Sequence, residues 1–322
     1  MGMKNNLEIF KKSIDQAQSI SICSHISPDG DAVGSSTGLY LALKEMGKDV
    51  YLVKNDDFPS NLEFVKHEDF YTGGQAFETD LFIVTDVSSD DRIGNGIEFH
   101  KLAKNSLCID HHKTNDGFFP NCIIESTLSS TCELIAAILF EGEYKISPLA
   151  ATFLYLGIST DTHRFQYEST SAETLRIAAK LIDLGADKKM INLALYESLN
   201  VNYLLLQAEV INSATRFHDG KFIIASLTND QLDKYGLDHD ETEGLVSILK
   251  SITGIEVACL VKEHEELDQK ISFRSKETVD VSAIAQEFGG GGHIRASGCT
   301  ILSNNKDAFD KVYERLKRVW KE

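Results

Sequence analysis

Aspartate and histidine residues recur at short spacing in the first half of the chain. The earliest group is His25, Asp29 and Asp31, in SHISPDGDAVGSS. Pro28 and Gly30 bend the backbone here, so the three side chains can converge on one point. Carboxylate and imidazole are common ligands of divalent cations. An Asp-Gly turn that leads into a helix N-cap explains the same residues without a ligand, so the motif alone leaves both interpretations open.

Two more acidic positions end apolar runs that are typical of buried strands. Asp86 lies in LFIVTDV, and Asp110 is followed directly by His111 and His112 in SLCIDHH. Two imidazoles beside a carboxylate suit a metal site, because a carboxylate can fix the tautomer of a ligating histidine. The alternatives are a loop cap at Asp86 and a surface turn at the two histidines.

Asp161 ends an otherwise apolar helical stretch, LYLGISTD. An aspartate at a helix C-terminus opposes the helix dipole and needs a cation nearby. A metal ion would serve, although His163 and Arg164 offer a simpler compensation.

Together these residues carry more negative charge than one site holds without cations. The set contains carboxylate and imidazole but no thiolate, which favours Mn²⁺, with Mg²⁺ or Co²⁺ as alternatives. Ligands suffice for two divalent metal ions. Two ions about 3.5–4 Å apart can clamp a phosphate, activate a water and stabilise the leaving oxygen. The members of the set are His25, Asp29, Asp31, Asp86, Asp110, His111, His112 and Asp161.

A glycine run near the C-terminus, in FGGGGHIRASG, predicts an anion-binding loop. Consecutive glycines let the backbone approach an anion and present N–H groups to it. The histidine and arginines nearby add charge-assisted donors for phosphate. A flexible linker and an ordinary surface arginine are the competing interpretations. The candidate substrate-binding residues are Arg274, Gly290, Gly291, Gly292, His293 and Arg295.

The elements that must position these residues alternate between apolar strands and helices, which predicts a mainly parallel α/β sheet. Predicted strands are 19–25, 49–53, 81–87 and 106–112, and predicted helices are 4–19, 31–46, 129–141 and 147–159. Several of the acidic and histidine residues fall at the carboxyl ends of these strands, where ligands bind in such sheets.

The second half has a different pattern. Residues 171–214 read as successive helices, and a new strand begins near Lys221. Further predicted elements are a helix over 238–251, strands over 256–261 and 270–275, and a helix near 306–320. We therefore predict an N-terminal domain over 1–190, a helical linker over 191–215, and a smaller α/β domain over 216–322.

The composition is that of a globular protein with an acidic surface. Of the 322 residues, 42% are hydrophobic and 25% charged, enough for two domains with their own cores. The net charge of −17 argues against a protein that coats long nucleic acid. With no signal peptide, membrane segment or C-x-x-C pair in the sequence, we expect a cytoplasmic protein without a membrane partner.

The motifs, taken in order, resemble the DHH phosphoesterase superfamily. They are SHISPDGDAVGSS, VTDVSSDDRIG, IDHHKTN, GISTDTHRF and FRSKETVDVSAIAQEFGGGGHIRASG. Within it the chain is similar to the NrnA type, bifunctional oligoribonucleases that also act on 3′-phosphoadenosine 5′-phosphate (pAp). The resemblance implies a Mn²⁺-dependent DHH domain, a DHH-associated substrate-binding domain and a homodimer. It also implies hydrolysis of short oligoribonucleotides to mononucleotides and of pAp to AMP.

The resemblance further implies two groups of metal ligands that share Asp86. One ion would be held by His25, Asp29 and Asp86, and the other by Asp31, Asp86, His111 and Asp161. His112 would contact the substrate phosphate, and Asp110 would orient the histidines. The cationic residues of the second domain would lie across the interdomain cleft and bind a terminal phosphate or base; they are Arg274, His293 and Arg295.

Three other functions stay open. The same chemistry could act on cyclic di-AMP or linear pApA. A vestigial site would make the chain a nucleotide-binding protein without catalysis. An inorganic pyrophosphatase is the third, and the glycine-rich ending argues against it, because type II pyrophosphatases resemble only the first half of the chain.

Overall fold

The computed structural model describes residues 2–56, 58–67, 70–72, 74–115, 117–198, 200–242 and 244–319. These residues form two compact units, Met1–Ser198 and Leu199–Glu322. Each unit has its own hydrophobic core, in line with the two domains expected from chain length. Among the described residues, no helix combines the length and the apolar character that crossing a membrane requires.

The first unit is built on a six-stranded parallel sheet in the order β3-β2-β1-β4-β5-β6. Its central strands are buried along nearly their whole length, as expected when helices cover both sides of a parallel sheet. The strands are β1 (Ser19–Cys23), β2 (Asp49–Val53), β3 (Tyr71–Thr72), β4 (Leu81–Thr85), β5 (Asn105–Asp110) and β6 (Cys122–Ile124).

Seven α-helices complete this unit within the described residues: α1 (Met3–Asp15), α2 (Gly30–Glu45), α3 (Gly96–Leu102), α4 (Thr131–Glu141), α5 (Pro148–Asp161), α6 (Ala172–Asp183) and α7 (Lys188–Asn192). Helices α2 and α5 approach closely because glycines line their contact. A Cβ on Gly34 would lie 2.5 Å from the carbonyl oxygen of Phe153, and one on Gly157 would lie 2.5 Å from Oδ1 of Asp31. The close packing brings Asp31, on α2, next to the helix that ends in Asp161.

The second unit contains a mixed six-stranded sheet in the order β11-β12-β10-β9-β8-β7, in which β8 and β9 are parallel and the other pairs antiparallel. Its strands are β7 (Thr215–Phe217), β8 (Phe222–Leu227), β9 (Val257–Glu265), β10 (Asp268–Ser275), β11 (Gly291–His293) and β12 (Ala296–Ile301). The helices are α8 (Val201–Ser213), α9 (Asn229–Tyr235), α10 (Leu245–Ser251), α11 (Val281–Glu287) and α12 (Asn305–Leu316). Apolar side chains of α8, α9 and α10 cover one face of the sheet, and those of α11 and α12 cover the other.

The predicted fold class is confirmed: a parallel α/β unit is followed by a smaller α/β unit. Two local predictions are wrong. The stretch 238–251 is not one helix but a 3-10 turn (His239–Thr242) followed by α10. The glycine run is not all loop, because Gly291–His293 pairs with β12 as an edge strand.

Candidate active site

Three neighbouring strands, β1, β4 and β5, deliver polar residues to one edge of the parallel sheet. His25 lies two residues beyond β1, Asp86 directly follows β4, and Asp110 ends β5. Since parallel strands end at the same edge, these side chains meet there. The structure thus brings together the polar residues that were predicted to follow these strands.

Asp86 occupies the centre of this edge. Its φ of +60° lies in the left-handed region, which non-glycine residues adopt at a cost and which often marks functional positions. The side chain is 2% exposed. Oδ2 of Asp86 lies 3.6 Å from Nε2 of His25, whereas Oδ1 lies 3.7 Å from Nε2 of His111. The two oxygens of one carboxylate therefore face two different histidines.

The two histidines are held in the same way. Nδ1 of His25 lies 2.7 Å from the carbonyl oxygen of Ile26, and Nδ1 of His111 lies 3.4 Å from that of Leu128. A carbonyl oxygen only accepts hydrogen bonds, so each Nδ1 donates to it. Nε2 of each ring then faces the carboxylates, and loss of its proton would offer a lone pair to a cation, as in histidines that bind metals.

Asp31, on α2, is completely buried, and its side chain lies against the N-terminus of α4. Its Oδ2 accepts a hydrogen bond from the backbone N–H of Thr131 at 2.7 Å, and its Oδ1 accepts one from that of Cys132 at 2.9 Å. The same Oδ2 lies 3.9 Å from Nε2 of His111. The positive end of a helix dipole stabilises a carboxylate in this position.

Asp29 and Asp161 complete the cluster. Asp29 is the N-cap of α2, where Oδ1 accepts from the N–H groups of Asp31 and Ala32, and this oxygen is 3.9 Å from Nε2 of His25. The capping interpretation and the ligand interpretation of Asp29 are thus compatible. Oδ2 of Asp161 lies 3.3 Å from Nε2 of His111.

The proton affinities reflect this gathering of charge. Burial raises the pKa of Asp31 well above its ordinary range, and it raises the pKa of Asp161 to about 6. Burial alone would lower the pKa of His111, but the hydrogen bond with Asp161 and the charges of Asp31 and Asp86 outweigh it and raise this pKa to about 10. Without cations the site retains protons that bound divalent ions would replace.

The donor set fits divalent metal ions in chemistry and in spacing. Three groups of potential ligand atoms lie within 4.8 Å of one another: His25 with Asp29 and Asp86, Asp31 with His111 and Asp161, and Asp86 with His111 and His112. Two ligands about 2.2 Å from one ion are about 3.1–3.8 Å apart when they subtend 90–120°. The N···O distances from His25 and His111 to the carboxylates, 3.3–3.9 Å, are close to that range.

Asp110 is held differently from the other acids. Its Oδ1 accepts from Nδ1 of His112 at 2.7 Å, and its Oδ2 accepts from Nδ2 of Asn115 at 2.8 Å. Both oxygens of this fully buried carboxylate are thus occupied by side-chain donors. The contacts suit an orienting role for Asp110 and leave Nε2 of the one-third exposed His112 for a ligand.

Comparison with known proteins agrees with this geometry. Residues 19–158 match the N-terminal domain of the DHH family, and residues 219–321 match the DHHA1 domain. The chain is 30% identical over 300 residues to the bifunctional oligoribonuclease and PAP phosphatase NrnA of Thermus thermophilus, an alignment that covers 92% of this chain and 89% of that protein. The chain belongs to the DHH family of phosphoesterases.

Other similarities extend over nearly the whole chain. The NrnA protein of Bacillus subtilis is 29% identical over 317 residues, with 97% of each chain covered. The crystal structure of an exopolyphosphatase-related protein from Bacteroides fragilis superposes with a TM-score of 0.89 at 29% identity, and covers 99% of this chain and 98% of that one.

Three residues that contact the cluster in the DHH domain were not singled out from the sequence. The hydroxyl of Thr131 donates to Oδ1 of Asp86 at 3.0 Å. Nη2 of Arg92 donates at 3.4 Å to the carbonyl oxygen of Ile26, which also accepts from Nδ1 of His25. Asn115 supports Asp110. Arg92 lies within the motif VTDVSSDDRIG, and Asn115 lies within IDHHKTN. The N-cap at Ser130 marks the start of the helix that carries Thr131.

In the DHHA1 domain, the predicted substrate-binding residues are only partly brought together. Arg274 and His293 both align with Ala296 across β10, β12 and β11, so their side chains share one face of the sheet. The Arg295 guanidinium instead donates to the carbonyl oxygens of Val279, at 2.8 Å, and Glu277.

The three glycines predicted to bind substrate differ in surroundings. A Cβ on Gly290 would collide with the backbone of β12, and one on Gly292, at a φ of +134°, would lie 2.7 Å from the carbonyl oxygen of Ala296. Gly291 has open space around it. Close strand packing therefore accounts for Gly290 and Gly292 whether or not a ligand binds there.

Proposed function

We propose that this chain hydrolyses short oligoribonucleotides to mononucleotides and pAp to AMP, with two divalent metal ions, Mn²⁺ in preference to Mg²⁺ or Co²⁺. One observation carries the metal assignment: the two oxygens of Asp86 face His25 on one side and His111 on the other. The similarity to NrnA proteins supports the choice of substrates.

His25, Asp29 and Asp86 would hold one ion, and Asp31, Asp86, His111 and Asp161 the other. The ions would activate water for attack on phosphorus and offset charge on the phosphoryl oxygens. The remaining chemistry belongs to the protein. Asp31 stays in place through two backbone hydrogen bonds from α4, and Thr131 holds one oxygen of Asp86.

His112 binds the substrate phosphate in this proposal. Because Asp110 accepts from Nδ1, the imidazole ring has a fixed orientation and its Nε2 is directed away from Asp110. Asn115 holds the second oxygen of Asp110 and so prevents that carboxylate from rotating. The hydrogen bond to Asp110 raises the pKa of His112, and in the protonated ring Nε2 also carries an N–H that can donate to a phosphoryl oxygen. Such a positioned donor is of most use as charge develops during the reaction.

A cluster of cations in the DHHA1 domain supports an anionic substrate. Lys250, at the end of α10, lies close enough to Arg274 and Lys276 that burial and these two charges together lower its pKa. Nζ of Lys276 donates to the carbonyl oxygen of Ile252, just beyond α10, at 3.1 Å. Cations that repel one another are stabilised when an anion binds among them. In a chain with a net charge of −17, a local cluster of this kind suits a short substrate better than a long polyanion.

The test is a substrate panel with purified protein and Mn²⁺. The panel contains pAp, pApA, cyclic di-AMP, RNA of two to twenty-four nucleotides and pyrophosphate, with products separated by chromatography. We expect AMP from pAp and mononucleotides from the shortest RNA, at rates that fall as the RNA lengthens. Preferential cleavage of cyclic di-AMP or pyrophosphate, or no cleavage of any nucleotide, would contradict the proposal.

A further inference from the structure

The turn that follows α5 has an unusual backbone. Three consecutive residues, His163, Arg164 and Phe165, have φ values of 47°, 59° and 64°. None is glycine, and single non-glycine residues adopt this left-handed region uncommonly, so three in a row are a marked departure. Strain of this kind persists only where the surrounding structure enforces it, and it concentrates at functional sites.

Thr162 and Phe165 enforce this conformation. Thr162 is fully buried, and its backbone carbonyl accepts hydrogen bonds from the N–H groups of Gln166 and Tyr167 at 2.9 and 3.0 Å. Its hydroxyl oxygen accepts one from the N–H of Phe165 at 2.9 Å. The Phe165 ring packs on the hydrophobic core of the DHH domain, 6.1 Å from the ring of Tyr155. The contacts of Thr162 and Phe165 with the rest of the domain therefore hold the turn in this conformation.

The outside of the turn presents two aromatic rings. The rings of His163 and Tyr167 lie parallel, with an angle of 9° between their planes and 5.1 Å between their centroids, in an offset stack. Both residues are exposed, and the Tyr167 side chain is 47% exposed. Next to them, the guanidinium of Arg164 packs over the ring of Tyr196, 4.6 Å from its centroid.

The position of this pair relates it to the active site. His163 is two residues beyond Asp161, so their Cα atoms are at most about 7 Å apart. The last turn of α5 lies against the start of α2, where a Cβ on Gly30 would meet the side chain of Thr160. The turn that carries the stacked pair thus begins within two residues of a member of the Asp/His cluster.

We propose that His163 and Tyr167 form a stacking platform for a nucleobase of the substrate whose phosphate lies at the Asp/His cluster. The inference rests on the proposed function and adds to it a contact with the base, made within the DHH domain. Exposed aromatic rings bind bases through their faces without regard to sequence, because every base offers a π surface. A stiff, fixed platform binds with little loss of conformational freedom.

The platform can be removed without disturbing the backbone. His163→Gly deletes one ring and favours the positive φ that the turn requires. His163→Phe and Tyr167→Phe keep the rings, and Gln166→Ala removes an exposed neighbour in the same turn as a control. The two substrates are pAp and the same ribose 3′,5′-bisphosphate without a base.

Steady-state kinetics then separate a base contact from a structural effect. We expect His163→Gly to raise KM for pAp by about tenfold, with kcat within about twofold of wild type, and to leave KM for the abasic substrate unchanged. The two phenylalanine variants and Gln166→Ala should behave as wild type. An equal rise in KM for both substrates, or no rise for pAp, would overturn the platform.

A binding measurement keeps this inference separate from the proposed function. Stacking quenches the fluorescence of 2-aminopurine riboside 3′,5′-bisphosphate, which can be titrated with protein in Mg²⁺. Quenching by wild type but not by His163→Gly, in a protein that hydrolyses no nucleotide, would support the platform and refute the function. Hydrolysis of pAp by wild type, with the same quenching by both proteins, would refute the platform alone.

Discussion

The two domains hold their predicted functional residues in opposite ways. In the DHH domain, Asp31 and Asp86 are 0% and 2% exposed, and hydrogen bonds fix their carboxylates. In the DHHA1 domain, His293 is exposed on an edge strand. Buried polar groups in a network must keep all their partners, whereas exposed donors can adjust to a ligand.

Under the proposed function, the two domains have different tasks. A buried, fully bonded cluster suits reaction chemistry, which depends on distances held to a fraction of an ångström. An exposed cationic face suits binding of substrates that vary in length. Substitutions in the first region should therefore reduce turnover strongly, and those in the second should change KM moderately.

The largest effect is expected for Asp86→Asn. Asparagine tolerates the positive φ and keeps the shape of the side chain, but it removes the charge shared by the two groups of ligands. We expect kcat on pAp to fall by at least about 1000-fold while the circular dichroism spectrum stays unchanged. Asp90→Asn, at an exposed position in the following turn, is the matched control and should retain wild-type activity.

A smaller loss of kcat is expected for Asn115→Ala, in the same domain. This change removes the hydrogen bond to Oδ2 of Asp110 and so loosens the orientation of His112. Residues that orient functional groups in this way typically contribute about 10–100-fold to activity, and we expect kcat to fall within that range. Asn121→Ala loses a side-chain hydrogen bond to the carbonyl oxygen of Ser106 without contact to Asp110. Equal losses in both variants would contradict the orienting role of Asn115.

The two domains also differ in the space around their glycines. A Cβ on Gly157 would collide with Sγ of Cys132 and Oδ1 of Asp31, whereas one on Gly291 would meet nothing within 4 Å. We expect Gly157→Ala to lower the free energy of unfolding by about 1–3 kcal/mol, since overpacking outweighs the helix preference of alanine. Gly291→Ala should change it by less than about 0.5 kcal/mol. Urea unfolding followed by circular dichroism measures both, and a larger loss for Gly291→Ala would reverse the comparison.

The smallest effect is expected for Lys250→Met in the cationic cluster. Loss of one charge-assisted contact, about 1.5 kcal/mol, should raise KM for pAp by about tenfold or less and leave kcat unchanged. Lys270→Met is the control, because Lys270 lies on β10 but pairs with Asp268 at 3.3 Å. A fall in kcat without a rise in KM would show that Lys250 does not act through binding.

Much of the first domain could be predicted from its sequence, because the apolar runs in the sequence are also the strands that are buried in the structure. The predicted strand over 49–53 has the observed bounds, and those over 81–87 and 106–112 differ from β4 and β5 by one or two residues. Buried parallel strands are continuous apolar runs, and the polar residues that end them mark the functional edge of the sheet.

The elements that were missed have weaker or different signals. Strands β3, β7 and β11 contain two or three residues, so their existence depends on pairing with a neighbour rather than on pattern. Helix α9 did have a signal, the capping box formed by Thr228 and Gln231. Glycine is rare in strands, so the glycine run that contains β11 gives no strand signal of its own.

The hydrogen-bond partners of Asp31 could not be predicted from the sequence. Asp31 bonds the backbone of Thr131 and Cys132, which are 100 and 101 residues away in the sequence. No local pattern specifies such a contact. The sharing of Asp86 between two groups of ligands was implied only by resemblance to the family.

In the proposed function, Asp86 would be shared between two divalent ions. Low-temperature electron paramagnetic resonance of the protein titrated with Mn²⁺ tests it directly and does not depend on activity. We predict that two Mn²⁺ bind per chain and give the spectrum of a spin-coupled pair, and that Asp86→Asn abolishes the coupling. A six-line spectrum of isolated Mn²⁺ at saturation, or the same coupled spectrum in Asp86→Asn, would contradict the sharing of Asp86 between two ions.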